Sequence, residues 1–339
     1  MPSLLASSAP GKWTRFLPLC VLLGALGSMV VAAESGAPRM SAITNYTGSA
    51  DASGAVAVGT THFAVVDDED DFLRIYRRNG GGAPVAGVCL SDWRELQLPG
   101  GKKKELDLEG GARLGDTIFW MGSHGNSKEG KITPGRRQLF ATTIRETNGT
   151  FQIALEGQPY RRLMEDFLEA PQLREFNLGE AAAAGRAPKD EGGLNLEGMC
   201  ATVEGHLLLG FRNPIPRGRA LLVPILNPQE TIRGKRARLG NPVQFDLQGR
   251  GIRDLVLVGK EYFLIAGDYR SNGLPSQLYR WAGGLEPARW LMDLPHLNPE
   301  VLVAYPDTGG AQLQVLSDDG QKPSLPPVQR KFRSVVIQF

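Results

Sequence analysis

Carboxylates open five short stretches of this chain. Asp51 leads into Ser53-Gly54, Glu109-Gly110 and Glu197-Gly198 repeat one another, Asp254 lies in GIRDLVLVG and Glu300 in LNPEVLVAY. Each stretch runs into apolar residues and then, past a turn, into a second apolar run that ends in polar groups. Those endings are Asp67-Asp68, Ser123-His124, Arg212-Asn213, Asp268 with Arg270, and Asp318-Asp319. Carboxylates brought close together repel one another unless something neutralises them. A hard cation such as Ca²⁺ or Mg²⁺ binds such oxygens. Arg212, Arg253 and Arg270 offer ion pairs. Raised pKa values would make some of the acids proton donors. We take Glu109, Glu197, Asp254 and Glu300 as candidate ligands of Ca²⁺ or another divalent cation. Arg212 is the candidate for holding a substrate's charge, and His124 for proton transfer. A repeated acid serves a fold equally well by accepting backbone N–H groups between neighbouring units.

What could gather acids spread over some 250 residues? The five stretches begin units of one repeat. With Ser53, Glu109, Glu197, Asp254 and Glu300 taken as equivalent, turn residues such as Gly59-Thr60, Gly115-Asp116 and Gly259-Lys260 separate the paired runs, as hairpins require. A third apolar segment follows in most units: LRIYRR, RRQLFATTI, RALLVPIL and SQLYRWAG. Repeated antiparallel units of about this length predict an all-β chain, a β-propeller. The direct count is five blades, with a sixth in the 145 to 192 region as the alternative. Residues 160 to 185 carry Leu163, Phe167 and Leu168 at helical spacing and a closing Gly185, which predicts a short helical insertion. The segments RMSAITNY at 39 to 46 and FRSVVIQF at 332 to 339 are expected to share one blade and close the ring. First strands start, and second strands end, at the same rim. One mouth of the channel should therefore collect all these groups: the four candidate ligands, Asp51, Asp67, Asp68, His124, Arg212, Asn213, Asp268, Arg270, Asp318 and Asp319.

The first 33 residues contain Lys12 and Arg15, no acid, the apolar stretch FLPLCVLLGALGSMVVAA and a closing Val31-Ala32-Ala33. This pattern predicts a cleaved export signal at 1 to 33, a single propeller domain at 34 to 339, no stable membrane insertion after cleavage, and a periplasmic or extracellular location. Cleavage takes two bases and no acid, leaving 36 of each sign. No basic surplus remains for a nucleic-acid partner. Cys89 and Cys200 fit no zinc spacing and read as free thiols. No organic cofactor is expected, since the nucleotide, serine-hydrolase, zinc-protease and EF-hand signatures are missing from the sequence.

The stretches VVDDEDDFLRIYRR, DLEGGARLGD, FWMGSHGNSKEGK, NLEGMCAT, LLLGFRNPIP and GIRDLVLVG resemble, in order from about residue 45 onward, an uncharacterised family of mostly bacterial, often exported proteins with a domain of unknown function. The Glu-Gly starts are similar, more loosely, to phytase-related esterase-like propellers. The resemblance implies a propeller and export; the looser one implies a phosphoesterase or esterase activity. Two functions remain open on the residues alone. One is a metal-dependent hydrolase acting on a small-molecule or phosphoester ligand. The other is a non-catalytic propeller that binds a ligand or a protein.

Overall fold

Runs such as HFAVV, TIFWM and LLLGF are too short for helices of their own and rich in residues that pack well on a pleated surface. In the computed structural model, which describes residues 37–101, 105–270, 273–320 and 325–339, they become the second strands of five antiparallel sheets. The expected leader and the lysines 102–104 lie outside the described residues. Among the described residues no helix is long and apolar enough to cross a membrane.

The inner strands are Gly54–Val58, Leu108–Leu114, Asn195–Ala201, Gly251–Val258 and Pro299–Val303. Each pairs with the run after it: His62–Val66, Thr117–Gly122, Leu207–Asn213, Glu261–Gly267 and Gln312–Ser317. Third strands follow at Phe72–Arg77, Leu139–Thr147, Ala220–Ile225, Gln277–Trp281 and Lys331–Gln338. The protein is a five-bladed β-propeller. The fifth blade is completed from the other end of the chain, where Thr44–Thr47 and Arg39–Met40 pair with Lys331–Gln338.

Strands buried on both faces explain why the apolar runs are nearly continuous instead of alternating. Separate apolar clusters fill the interfaces between successive blades. Val56, Leu73, Ile118, Trp120 and Phe140 pack between the first and second. Tyr46, Phe63, Tyr76 and Phe332 do so where the ends of the ring meet, with ring centroids 5.2 to 5.6 Å apart.

No sixth blade forms. Residues 145 to 192 supply instead the long outer strand Thr150–Tyr160 of blade two and the helical insertion. Leu163–Glu169, Pro171–Phe176 and Leu178–Ala181 are its helical turns, and Leu163, Phe167 and Leu173 join Leu209 and Phe211 in the core between blades two and three. Leu168 faces away, 54% exposed. From these turns the chain returns across one mouth of the channel, where the acids lie.

Candidate functional site

A bulge in four of the inner strands builds the mouth. Strand register steps between Leu108 and Gly110, Leu196 and Gly198, Ile252 and Asp254, and Pro299 and Val301. The extra residue at each step is Glu109, Glu197, Arg253 or Glu300, and a bulged residue re-aims its side chain. Glu109, Glu197 and Glu300 line the mouth cavity. The glycine after the glutamate has its own reason. A Cβ on Gly110 would lie 3.0 Å from the Glu197 carbonyl oxygen, and one on Gly198 would lie 2.8 Å from Leu255 Cδ2, so adjacent inner strands meet there without room for a side chain.

This register corrects the expected place of Asp254. It occupies the slot of Gly110 and Gly198, one residue past the bulge, and is buried. Its Oδ2 accepts the N–H of Leu302 at 2.7 Å, bracing blade four to blade five. Asp254 is an inter-blade acceptor, and its place in the ring belongs to Arg253. A slip of one residue in a strand exchanges the two faces, and here it exchanged an acid for a base.

Arg253 divides the mouth electrically. Its Nη2 pairs with Glu300, its Nε lies 3.4 Å from Glu197 Oε2, and its Nη1 donates to Asn298 Oδ1 at 2.5 Å. Arg212 Nη1 reaches Glu197 Oε1 at 2.5 Å, and its Nε donates to the Asp268 carbonyl oxygen at 3.0 Å. Glu197 also accepts from Asn195 at 2.9 Å. Two arginines and two glutamates thus neutralise one another on the side of blades three to five, where Glu197 and Glu300 are engaged as ion-pair partners.

Blades one and two differ. Asp51, Asp67 and Asp68 have carboxylate oxygens within 4.8 Å of one another, and so do Asp68, Asp107 and Glu109; Asp68 belongs to both groups. Ser49 donates to Asp67, Ser53 to Asp68 at 3.0 Å, and Ser123 to Asp107. Among the described residues the cation in contact is Arg136, 3.0 Å from Asp107 Oδ2 and shared with Glu105 at 2.9 Å. Burial and the neighbouring acids push Asp68 and Glu109 well above the usual carboxylate range. Burial pushes Asp107 up to about 6 against the pull of Arg136. Burial and the adjoining Asp318 push Asp51 up to about 10. Two later acids of the run are used for support: Asp70 pairs with Arg74 and Arg330, and Asp71 accepts the Leu106 N–H at 2.9 Å.

Loops roof the acids and leave a cavity of about 650 Å³ to one side and one of about 630 Å³ over the mouth itself. The mouth cavity is lined by Asp68, Glu69, Glu105, Asp107, Glu109 and Asp318, with Lys128, Arg136 and Lys189 among them. The 186–190 loop is tied down by Asn213, whose amide donates to the carbonyls of Pro188 at 2.8 Å and Asp190 at 2.7 Å. Asn126 holds the same return from below through Ala183 at 2.8 Å and Arg186 at 3.0 Å.

Of the expected mouth residues, His124, Asp268 and Arg270 lie elsewhere as Asp254 does, and Asp319 pairs with Arg333. His124 is 0% exposed, its Nδ1 bound to the Gly122 carbonyl oxygen at 2.8 Å and its Nε2 facing no protein partner. Burial pushes it down to about 4, so it is a neutral core group outside the cavity. A positive φ of 57° turns it inward where strand continuation would have carried it to the rim. Asp268 spends both oxygens on its own turn, accepting Arg270 N at 2.8 Å and Leu274 N at 3.1 Å. Arg270 lies over the Tyr269 ring and lines the neighbouring cavity. The sequence reading missed Glu69, Glu105, Asp107, Arg136, Lys128 and Lys189. A usable signal was the long second-to-third connection of blade two, since loops of that length over a mouth commonly carry function.

The family described as "Protein of unknown function (DUF3616)" matches residues 133–310. The chain belongs to this family. This DUF3616 propeller matches no curated protein. Among solved structures it is similar to Myxococcus xanthus glutaminyl cyclase, with 12% identity and a TM-score of 0.46 over 89% of this chain and 97% of that one. It is similar also to the PQQ-bound aldose sugar dehydrogenase of Streptomyces coelicolor, with 10% identity and a TM-score of 0.45 over 89% and 99%. A third is the exo-β-1,3-galactanase of Phanerochaete chrysosporium, with 10% identity and a TM-score of 0.45 over 88% and 64%. Acidic groups of the DUF3616 mouth are placed where they could bind a metal ion.

Proposed function

We propose that this protein is an exported hydrolase of anionic esters, phosphoesters foremost, that works with a divalent cation held in the acidic half of its mouth. The observation that carries this reading is the pair of three-carboxylate groups sharing Asp68, with oxygens within 4.8 Å. The donor set fits: every candidate ligand is a carboxylate oxygen, which suits Ca²⁺ or Mg²⁺ and not a thiolate- or imidazole-seeking metal. Asp68 would hold the ion with Asp107 and Glu109, or with Asp51 and Asp67; Glu109 is attracted by Arg212 but makes no direct ion pair among the described residues. When bound, such a cation supplies Lewis acidity toward an ester oxygen.

The chain's own groups do the rest. Lys128 and Lys189 line the cavity together with the carboxylates and would fix a phosphate's charge. The loops held by Asn126 and Asn213 narrow the approach and limit water. Burial and the adjoining Asp318 raise the Asp51 pKa, so cation binding there would release a proton. Export through the leader at 1 to 33 would place the mouth where calcium is plentiful, so a dissociation constant of about 10⁻⁴ to 10⁻³ M suffices.

One observation favours a second reading, a non-catalytic ligand-binding propeller. His124 is sealed in the core, which leaves the mouth lining without an imidazole. The deciding experiment is a melting curve with Ca²⁺, Mg²⁺, Mn²⁺ or chelator, run beside hydrolysis of p-nitrophenyl phosphate and its diester. The first reading expects calcium to raise the melting temperature and support turnover, both lost in Asp68→Asn. Stabilisation without turnover of either ester selects the second reading. Indifference to every divalent ion overturns cation binding altogether.

A further inference from the structure

The channel has a second, unlike end. Below the constriction at Gly110 and Gly198, the downstream halves of the inner strands surround a bowl of about 750 Å³. It shares no lining residue with the acidic mouth. Ala57, Leu114, Ala201, Val256 and Val303 are among the residues that form its wall. Small side chains on several strands keep it open, and its size lies inside the range of small-molecule pockets, about 300 to 1,000 Å³. An apolar hollow of this kind hydrates poorly, so an apolar guest gains by displacing what water it holds.

One charge stands in this wall. Arg113, half-buried on the inner strand of blade two, donates through Nε to the Ala57 carbonyl oxygen at 3.1 Å and through Nη1 to the Gly115 carbonyl oxygen at 3.3 Å. It makes no ion pair among the described residues, and its Nη2 has no protein partner there. Contrast Arg212 and Arg253 at the other end, each held by a glutamate. Desolvation lowers the Arg113 pKa, and the attraction of Asp116 offsets this only in part. A guanidinium fixed by two carbonyls at the lip of an apolar bowl matches an anion that carries an apolar body.

We propose that the bowl is a second binding site, for a small amphipathic carboxylate such as a medium-chain aliphatic acid, with its carboxylate on Arg113 and its apolar body among Ala57, Val256 and Val303. The site is independent of the cation at the opposite mouth.

The test uses the full-length protein without its leader. Anilinonaphthalene sulfonate, an apolar ring system with an anionic group, serves as a fluorescent probe, with decanoate as competitor and calorimetry for stoichiometry. A single equivalent of probe should bind, be displaced by decanoate, and be unaffected by chelator. Arg113→Met should weaken both ligands by about tenfold or more, the loss expected when a charge-assisted contact is removed. Ala57→Trp should abolish binding by filling the bowl. Ala201→Leu, a smaller intrusion, replaces it if the tryptophan variant melts early. No binding of probe or decanoate at millimolar concentration overturns the proposal. So does binding of equal strength in the filled variant, which would place the probe elsewhere. Binding lost on filling but unchanged in Arg113→Met overturns the assignment of a carboxylate ligand.

Discussion

The two halves of the acidic mouth stand at the same level of the same ring, yet they solve one electrostatic problem in opposite ways. On the side of blades three to five, Arg253 sits between Glu197 and Glu300, Arg212 closes the other flank, and the charges cancel within the protein. On the side of blades one and two, Asp51, Asp67, Asp68, Asp107 and Glu109 cluster, and among the described residues their ion pair is that of Asp107 with Arg136, which also serves Glu105. The difference shows that repeating an acid does not by itself make a site. What marks the acidic half, among the described residues, is that most of its carboxylates make no direct ion pair.

The largest effect should come from breaking the compensated half. Arg253→Met leaves Glu300 buried without its cation and should cost about 3 to 5 kcal/mol of stability. Denaturant unfolding measures this, and added calcium should not restore it. Restoration by calcium would show that the two halves are not distinct. Next comes the acidic half. Calcium at about 100 times its dissociation constant should stabilise the protein by about 2.7 kcal/mol. Asp68→Asn should remove that gain while leaving the metal-free protein at least as stable as before, because a like-charge repulsion is relieved. Asp254→Ala, which strands the Leu302 N–H, should lose about 1 to 3 kcal/mol yet keep the calcium response. A lost response would return Asp254 to the ion.

The subtlest test is pH. Asp107 and Asp51 have folded pKa values pushed above the reference 3.8, to about 6 and about 10, so the folded state holds their protons more tightly. Their contribution is full below about pH 4 and is lost as pH rises through those values. His124 acts in the other direction. Its folded value of about 4 lies below the reference 6.5, so its contribution is present above pH 6.5 and is lost as pH falls toward 4. Between pH 4 and 6.5 these contributions should oppose one another, so the melting temperature of the chelated protein should follow their difference. The calcium gain should be larger at pH 8 than at pH 5, where the ligands hold protons. A calcium gain that does not grow with pH would argue against these carboxylates as ligands.

Strand positions, the five-blade count, the helical insertion and the shared last blade were all legible from the sequence, because paired apolar runs between turn residues carry their own periodicity. Within the site, Glu109, Asp67 and Asp68 were legible by the same rim argument. Asp254 was misplaced because a bulge shifts the register by one residue, and the text GIRDLVLVG carries two charged residues side by side with nothing to say which is bulged. His124 was misplaced for a related reason: a left-handed residue at a strand end reverses a side chain without altering the pattern of letters. Asp107, Arg136 and Lys189 went unseen because loops bring them to the mouth, and loops lack periodicity.

The shared last blade also bears on when this protein can fold. Lys331–Gln338 lies between Gln312–Ser317 and the strands of the amino-terminal segment, and Phe332 stacks on Tyr46 at 5.2 Å. A chain emerging amino end first cannot seal its circle until nearly the whole of it has been synthesised. Until then the earliest strands wait for a partner nearly three hundred residues downstream. Under the export proposed above, the step that locks the wheel would be reserved for the far side of the membrane.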